Sequence, residues 1–253
     1  MERKMGIHFA RGVLTEGRLF SERLPSLCHL EARNLPAHRQ TRFLASRGLL
    51  AELMFMLYGT IELPEIVLQA KGKPVFRDKN LPAFSFACAG NMVGVALATE
   101  GVCGLDMELQ RANRGFMSPH KVRSPTFSSN ESLWISKQND PDEARAQLIT
   151  LRQSILKLTG DVCNDDPREL QLLPGAGRLK CAHAAQIEAI CDAEDLLVWS
   201  VAVTPAIDKL QIWEFDGKQG WKSLPDIQSR ANAETGRLIR FAHLSAAKTY
   251  THN

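Results

Sequence analysis

The 253-residue sequence lacks paired cysteines, a long apolar run and a strong net charge. Its 6 cysteines include no C-x-x-C pair, which argues against a zinc site or a thioredoxin-like motif. Its longest apolar segments fall far short of the ~20 residues that span a bilayer. A net charge of +3 is too small to indicate nucleic acid as a partner.

The N-terminus also lacks a secretion signal, because the charged residues 1–4 are not followed by an uninterrupted apolar stretch. We therefore expect a cytoplasmic protein without membrane attachment, in which the thiols are reduced and buried. Hydrophobic residues make up 44% of the chain, enough for a sizeable core in one large or two small domains.

Helical and strand-like segments alternate along the chain. The sequence predicts one helix over residues 38–58 and another from Pro141 to Gly160. Two strand-like runs flank Gly90-Asn91, a pair that indicates a hairpin. Further strands are predicted at 170–173 and 198–203.

This order of elements predicts an α+β fold of two similar halves. We place the N-terminal half at 1–109 and the C-terminal half at 110–205. The remainder, 206–253, is expected to form a C-terminal extension that packs on the second half.

Asp106 and Glu108 stand two residues apart, directly after an apolar run. In an extended segment, side chains at i and i+2 point to the same face. Two carboxylates on one face suit Mg²⁺, which completes its coordination with water and substrate phosphate oxygens. Alternatively, an isolated D-x-E is only the polar side of an exposed strand or turn.

Three segments in order resemble one known family: residues 104–108 (GLDME), 127–131 (FSSNE) and 151–157 (LRQSILK). The chain resembles the 4′-phosphopantetheinyl transferases of the surfactin-synthetase-activating type, which are holo-acyl-carrier-protein synthase-like enzymes. In these, G-[IVL]-D-x-E precedes W-x-x-K-E-[SA]-x-x-K by about 40 residues. Gly72-Lys73-Pro74 and the predicted hairpin also match in position, so that the resemblance covers roughly residues 38–205.

The resemblance implies transfer of the phosphopantetheine arm of coenzyme A to a serine of an apo acyl or peptidyl carrier protein. It also implies two α+β halves related by pseudo-twofold symmetry, with coenzyme A and Mg²⁺ in the cleft between them. Because one chain forms that cleft, a monomer is expected.

The resemblance also assigns roles by position. Asp106 and Glu108 match the carboxylates that bind Mg²⁺ at the coenzyme A diphosphate. The positions that match coenzyme A contacts are Arg42, Arg47, Lys73, Cys88, Arg152 and Lys157. The positions that match catalytic residues are Glu131, Gln153 and Lys157.

Two of the substitutions at matched positions, Gln153 and Cys88, remove a chemical group that the family uses, whereas Arg152 in place of a lysine keeps the charge. Gln153 replaces a glutamate that is a metal-proximal acid and a candidate general base, and glutamine cannot accept a proton at neutral pH. Cys88 replaces a histidine that contacts the 3′-phosphate. The proton of the acceptor serine then goes to Glu131 or to hydroxide at the metal. Glu131 is alternatively a helix N-terminal acid favoured by the dipole.

Three functional hypotheses follow from these matches and departures. The chain is an active transferase, or it binds coenzyme A or a carrier protein without efficient transfer. A third possibility is that the fold retains neither ligand.

Overall fold

The computed structural model describes residues 6–15, 19–110, 126–160, 169–182, 184, 186–234 and 237–244. The strands in chain order are β1 (Ile7–Val13), β2 (Ile66–Leu68), β3 (Pro74–Phe76), β4 (Ala83–Ala89), β5 (Met92–Ala98), β6 (Val102–Leu109), β7 (Leu170–Leu173), β8 (Arg178–Cys181), β9 (Glu188–Ala193), β10 (Leu197–Thr204), β11 (Leu210–Asp216), β12 (Gly220–Ser223) and β13 (Ile239–His243). The helices are α1 (Ser26–Arg33), α2 (Ala37–Tyr58), α3 (Ser129–Ser136), α4 (Pro141–Thr159) and α5 (Ile227–Ala231).

Two larger sheets and two long helices form four layers, in the order α2, first sheet, second sheet, α4. The first sheet has the strand order β12-β11-β1-β5-β4, and the second has the order β6-β10-β9-β13-β8-β7. The strand order β1-β5-β4 in the first sheet is similar to the order β6-β10-β9 in the second. In each set the middle strand pairs with both neighbours, and all four pairs are antiparallel. The predicted α+β class is therefore confirmed.

Alternation along β5 explains how each sheet is buried on both faces. Val95 and Leu97 pack with α2, whereas Ala96 and Ala98 belong to the core between the sheets. Successive side chains of a strand point to opposite faces, so a nearly continuous apolar run is needed for a strand covered on both sides. The same reasoning applies to β10, with Trp199 toward the first sheet.

The predicted local elements are confirmed. Gly59 and Gly160 end α2 and α4 in the left-handed conformation, as C-terminal glycines commonly do. Asp140 caps the start of α4, where Pro141 is the first helical residue. Gly90-Asn91 joins β4 to β5 in the expected hairpin.

The strands at the expected boundaries pack differently from the prediction. Residues 102–109 are predicted to belong to the first half, but β6 pairs with β10 in the second sheet. The tail, 206–253, is predicted to pack on the second half. Its strand β13 does so by pairing with β9, whereas β11 pairs with β1 of the first sheet. The reason is that β11 covers the otherwise open edge of β1 and buries Leu210 and Ile212 between the sheets.

None of the helices within the described part of the chain is long and apolar enough to cross a membrane.

Candidate functional site

The face of β6 that carries Gly104 and Asp106 lies against α4. A Cβ atom added at Gly104 would lie 2.0 Å from the backbone oxygen of Ser154, so glycine permits this close approach. Ser154 Oγ and Ser200 Oγ lie 2.9 Å apart, and Ser200 is the register partner of Asp106 on β10. This packing places the last turn of α4 beside Asp106.

Lys157 connects α4 to the meeting edges of the two sheets. Its Nζ donates to Asp106 Oδ1 at 2.8 Å, to Leu105 O at 2.9 Å and to Phe86 O at 3.3 Å. The Leu105 N–H donates to Ser85 Oγ at 3.0 Å, which joins β6 to β4. Asp106 is only 9% exposed, so an exposed strand end does not describe it.

Glu108 and Gln153 lie near this ion pair along their own elements. Glu108 is two residues after Asp106 on β6 and is half-buried. Gln153 is half-buried and precedes Lys157 by four residues on α4, so the two share a helix face. These positions place the two carboxylates and the Gln153 amide on the facing sides of β6 and α4.

A cavity of about 240 Å³ adjoins Lys157. Its lining comes from both halves of the molecule: Gly72, Lys73, Pro74, Phe84, Ser85, Phe86, Lys157 and Gly160. The rings of Phe84 and Phe86 are 5.0 Å apart and supply an apolar wall. Lys73 Nζ donates to Leu158 O at 2.8 Å, and burial lowers the pKa of Lys73. The Gly72-Lys73-Pro74 motif predicts Lys73 at the site. The aromatic wall is not among the predicted contacts, although Phe84 and Phe86 stand two residues apart on one strand and so share a face.

Arg42 and Lys157 both lie near Cys88. Arg42 is exposed, and its Nη2 donates to Gly90 O at 2.8 Å. Cys88 is exposed, which corrects the expectation of a buried thiol: near the end of β4 its side chain points away from the face on which Ala87 and Ala89 are buried between the sheets. Partial burial of the thiol raises the pKa of Cys88, while the positive charges of Arg42 and Lys157 act to lower it.

Arg47 faces a different cavity of about 230 Å³, together with Cys28 and Glu62. Its guanidinium carbon lies 3.4 Å from the ring centre of Phe43 and 5.6 Å from that of Phe86. Burial lowers the pKa of Arg47. The aromatic contacts thus fix Arg47 near the Phe86 wall, outside the lining of the cavity that contains Lys157.

Glu131 and Arg152 pair with each other. Arg152 Nη2 donates to Glu131 Oε1 at 2.6 Å, and Nη1 donates to Leu170 O at 3.0 Å. Glu131 Oε2 accepts from Ser128 N at 2.7 Å as part of a capping box at the start of α3. Glu131 is 1% exposed and Arg152 is 5% exposed.

This pair differs from the predicted phosphate contact of Arg152 and the predicted base role of Glu131. Both Glu131 oxygens accept hydrogen bonds from within the protein. Arg152 and Lys157 are five residues apart on α4, so they lie about 140° apart around its axis. The structure therefore directs Arg152 toward α3 and β7, and Lys157 toward β4 and β6. The S-x-x-E pattern over 128–131 is the sequence signal for the structural role of Glu131.

The oxygen atoms available in the cleft are of the kind that Mg²⁺ prefers as ligands. Asp106 and Glu108 supply two carboxylates, and Mg²⁺ commonly takes one or two from the protein together with substrate phosphates and water. Gln153 adds an amide oxygen. Within the described residues, no three acidic, histidine or cysteine side chains converge into a metal-binding group.

No protein-family model matches the chain. It is 76% identical over 249 residues to the "Uncharacterized protein YieE" of Escherichia coli strain K12. The protein of the same name from E. coli O6:H1 strain CFT073 gives the same identity and length of match. In both comparisons the match covers 98% of this chain and 100% of the relative. The chain therefore belongs to the family of the E. coli protein YieE.

Proposed function

We propose that this protein is a Mg²⁺-dependent 4′-phosphopantetheinyl transferase that uses coenzyme A as donor and an apo acyl or peptidyl carrier protein as acceptor. The observation that carries the proposal is the ion pair of Asp106 and Lys157 beside the cavity at Gly72-Lys73-Pro74. These residues come from three of the sequence segments that resemble the family, and the fold brings them to one cleft.

The arrangement of the strands supports a more specific proposal for the fold, namely two similar halves. The strands β1, β5 and β4 pack against α2, and the strands β6, β10 and β9 pack against α4. We propose that the two sets are related by the pseudo-twofold symmetry of the transferase fold. The edges of β4 and β6 meet at the cleft, which supports a site between the two proposed halves.

The cleft offers distinct contacts for the parts of coenzyme A. The apolar wall of Phe84 and Phe86 suits the adenine ring, with Lys73 in the same cavity. Arg42 is exposed and positioned to contact a terminal phosphate near Cys88. Asp106 and Glu108 would hold Mg²⁺, which when bound neutralises charge on the diphosphate.

In the transfer, the serine oxygen forms a bond to the phosphorus that carries the pantetheine arm. The bond from this phosphorus to the bridging oxygen breaks, and adenosine 3′,5′-bisphosphate leaves. Lys157 lies where it could offset the charge of the phosphates. The serine proton needs an acceptor, and Gln153 is not one.

A second candidate function is binding of coenzyme A or a carrier protein without efficient transfer. The observation that favours it is the buried pair of Glu131 and Arg152. Gln153 cannot take the proton, and Glu131 would have to give up its bonds to Ser128 and Arg152 to do so. A protein with this cleft would still bind the nucleotide and the metal.

One experiment separates the two functions. The purified protein is incubated with several apo carrier proteins, coenzyme A and Mg²⁺, and the intact mass of each carrier is measured. A gain of one phosphopantetheine on any carrier supports the transferase. If an active transferase modifies the same carriers and this protein modifies none, calorimetric binding of coenzyme A would identify the second function.

A further inference from the structure

Lys157 already contacts Asp106, one of the two carboxylates proposed to hold the metal ion. Its Nζ donates to three oxygens, those of Asp106 Oδ1, Leu105 O and Phe86 O. An ammonium group has three N–H donors, so these acceptors match its full capacity. Lys157 could therefore bind a phosphate oxygen only by giving up one of these bonds.

The ion pair of Lys157 and Asp106 also affects how strongly Asp106 attracts a divalent cation. The Asp106 side chain is 12% exposed and the Lys157 side chain 27%, so both are largely withdrawn from water. Attraction between opposite charges is stronger there than at a fully exposed pair. A divalent cation that approaches Asp106 meets a positive charge already bound 2.8 Å from the carboxylate oxygen.

We propose that Lys157 is an internal substitute for the metal ion. In the metal-free protein its ammonium neutralises Asp106, and a divalent cation binds there only after Lys157 moves away. The inference rests on the proposed function, in which Asp106 and Glu108 bind Mg²⁺. We further propose that the diphosphate of coenzyme A binds the Lys157 ammonium once it has left Asp106.

This exchange makes metal and coenzyme A bind cooperatively. When the diphosphate of coenzyme A binds Lys157, the ammonium leaves Asp106 and the affinity of Asp106 for metal rises. This increase adds to the one that the phosphate oxygens of coenzyme A provide as metal ligands. Because such coupling is reciprocal, bound metal raises the affinity for coenzyme A by the same factor. A lysine that only joins β4 to β6 would produce no such coupling through its charge.

The test measures Mn²⁺ binding, since Mn²⁺ takes oxygen ligands like Mg²⁺ and its free form is detected by electron paramagnetic resonance. The wild type is compared with Lys157→Met, first with Mn²⁺ alone and then with coenzyme A. We expect Lys157→Met to bind Mn²⁺ about tenfold more tightly in the absence of coenzyme A. Coenzyme A should raise the affinity of the wild type by a larger factor than that of Lys157→Met.

Lys180→Met is the matched control. Lys180 is an exposed residue of β8 and is not part of the lining of the cavity that contains Lys157. Its loss should leave the affinity for Mn²⁺ at the wild-type value. If circular dichroism shows that Lys157→Met does not fold, Lys157→Gln replaces it, because glutamine removes the charge and retains N–H donors for the backbone oxygens.

The outcomes distinguish this inference from the proposed function. Equal Mn²⁺ affinity in the wild type and the folded Lys157 variant overturns the inference and leaves the metal site in place. Absence of Mn²⁺ binding in every variant, with or without coenzyme A, overturns both. Tighter binding by the variant, together with no transfer to any carrier, supports the inference and contradicts the transferase.

Discussion

Gln153 limits the negative charge of the candidate cleft. It lies four residues before Lys157 on α4, on the same helix face. Its amide oxygen can contact a cation but brings no charge. In the proposed function, Asp106 and Glu108 would bind a divalent cation with one acid fewer than the transferases that the sequence resembles.

Gln153→Glu should strengthen metal binding, because it adds a negative charge to the cleft. At a distance of about 4 Å, two unit charges interact by ~4 kcal/mol at an effective dielectric of ~20, and exposure to water reduces this figure. We expect the Mg²⁺ concentration for half-maximal transfer to fall about tenfold. Gln171→Glu, at an exposed position of β7, should leave it unchanged.

An equal Mg²⁺ requirement in Gln153→Glu and the wild type would contradict this role for position 153. If transfer were undetectable in the wild type and appeared in Gln153→Glu, the missing acid would be the limiting feature. That result would favour the second candidate function for the natural sequence.

Cys88 provides a chemical probe of the cleft. It is the exposed thiol among the described cysteines, whereas Cys28, Cys103 and Cys191 are buried. Burial raises the pKa of Cys103 to about 12 and raises that of Cys191 well above its usual value. Thiolate forms react much faster than thiols, so these two side chains should react slowly.

Iodoacetamide should modify Cys88 before Cys103 and Cys191, and adenosine 3′,5′-bisphosphate should protect it. This product is used in place of coenzyme A because it has no thiol that would consume the reagent. The pKa of Cys88 is raised by partial burial, so the thiolate fraction and the labelling rate increase as the pH rises toward that pKa. Peptide mass mapping measures the rate at each cysteine. Labelling of Cys88 that saturating adenosine 3′,5′-bisphosphate does not slow would contradict its place beside the ligand.

At the scale of elements, α4 determines the geometry of the cleft. Gly104 lets the helix approach β6, and the left-handed Gly160 ends it next to the cavity that contains Lys157. The side of α4 that carries Arg152 packs on α3 and β7. Helix α4 thus carries Lys157 on the side that faces the cleft and Arg152, paired with Glu131, on another side.

The pair of Glu131 and Arg152 should contribute to stability. Glu131→Gln and Arg152→Met each leave a buried charge without its partner, which costs about 3–5 kcal/mol of unfolding free energy. Urea denaturation measures the loss. The double variant should lose less than the sum, because the two residues interact directly. Arg77→Met, which removes an exposed ion pair with Glu65, should change stability little.

Undiminished stability in Glu131→Gln would contradict the structural role. Combined with loss of transfer, that result would restore Glu131 as the candidate base. Loss of stability with retained transfer would establish that the proton is accepted elsewhere.

The elements themselves were predictable because their signals are local. Glycines mark the ends of α2 and α4, Asp140-Pro141 marks the start of α4, and Gly90-Asn91 marks the hairpin. The partners of the strands were not predictable in this way. Pairing of β6 with β10 and of β1 with β11 joins residues far apart in sequence, and hydrophobic alternation does not specify which strand lies alongside.

At the scale of the whole molecule, the two sheets are held together by an apolar core and by charges. Phe9 and Trp199 pack across it with ring centres 5.0 Å apart. Both oxygens of Glu194 accept from Arg11 Nη1, at 2.8 and 2.9 Å. Because Arg11 lies on β1 and Glu194 follows β9, this contact joins the two sheets.

The sequence predicts which residues form the candidate site better than it predicts which residues contact each other there. Asp106, Lys157 and Lys73 were identified from ordered motifs, and the structure brings them to one cleft. The pairing of Glu131 with Arg152 depends on how α3 and α4 pack, which the motifs do not encode. The exposure of Cys88 depends on which elements cover each face of β4 near its end, and the motifs do not encode this either.

The most direct test of the account compares transfer by the wild type and by Asp106→Ala. The measurement is the intact mass of an apo carrier protein after incubation with coenzyme A and Mg²⁺, and Asp208→Ala serves as an exposed control. The account predicts a gain of one phosphopantetheine with the wild type and Asp208→Ala, and none with Asp106→Ala. Equal modification by Asp106→Ala, or no modification by the wild type on any carrier, would contradict it.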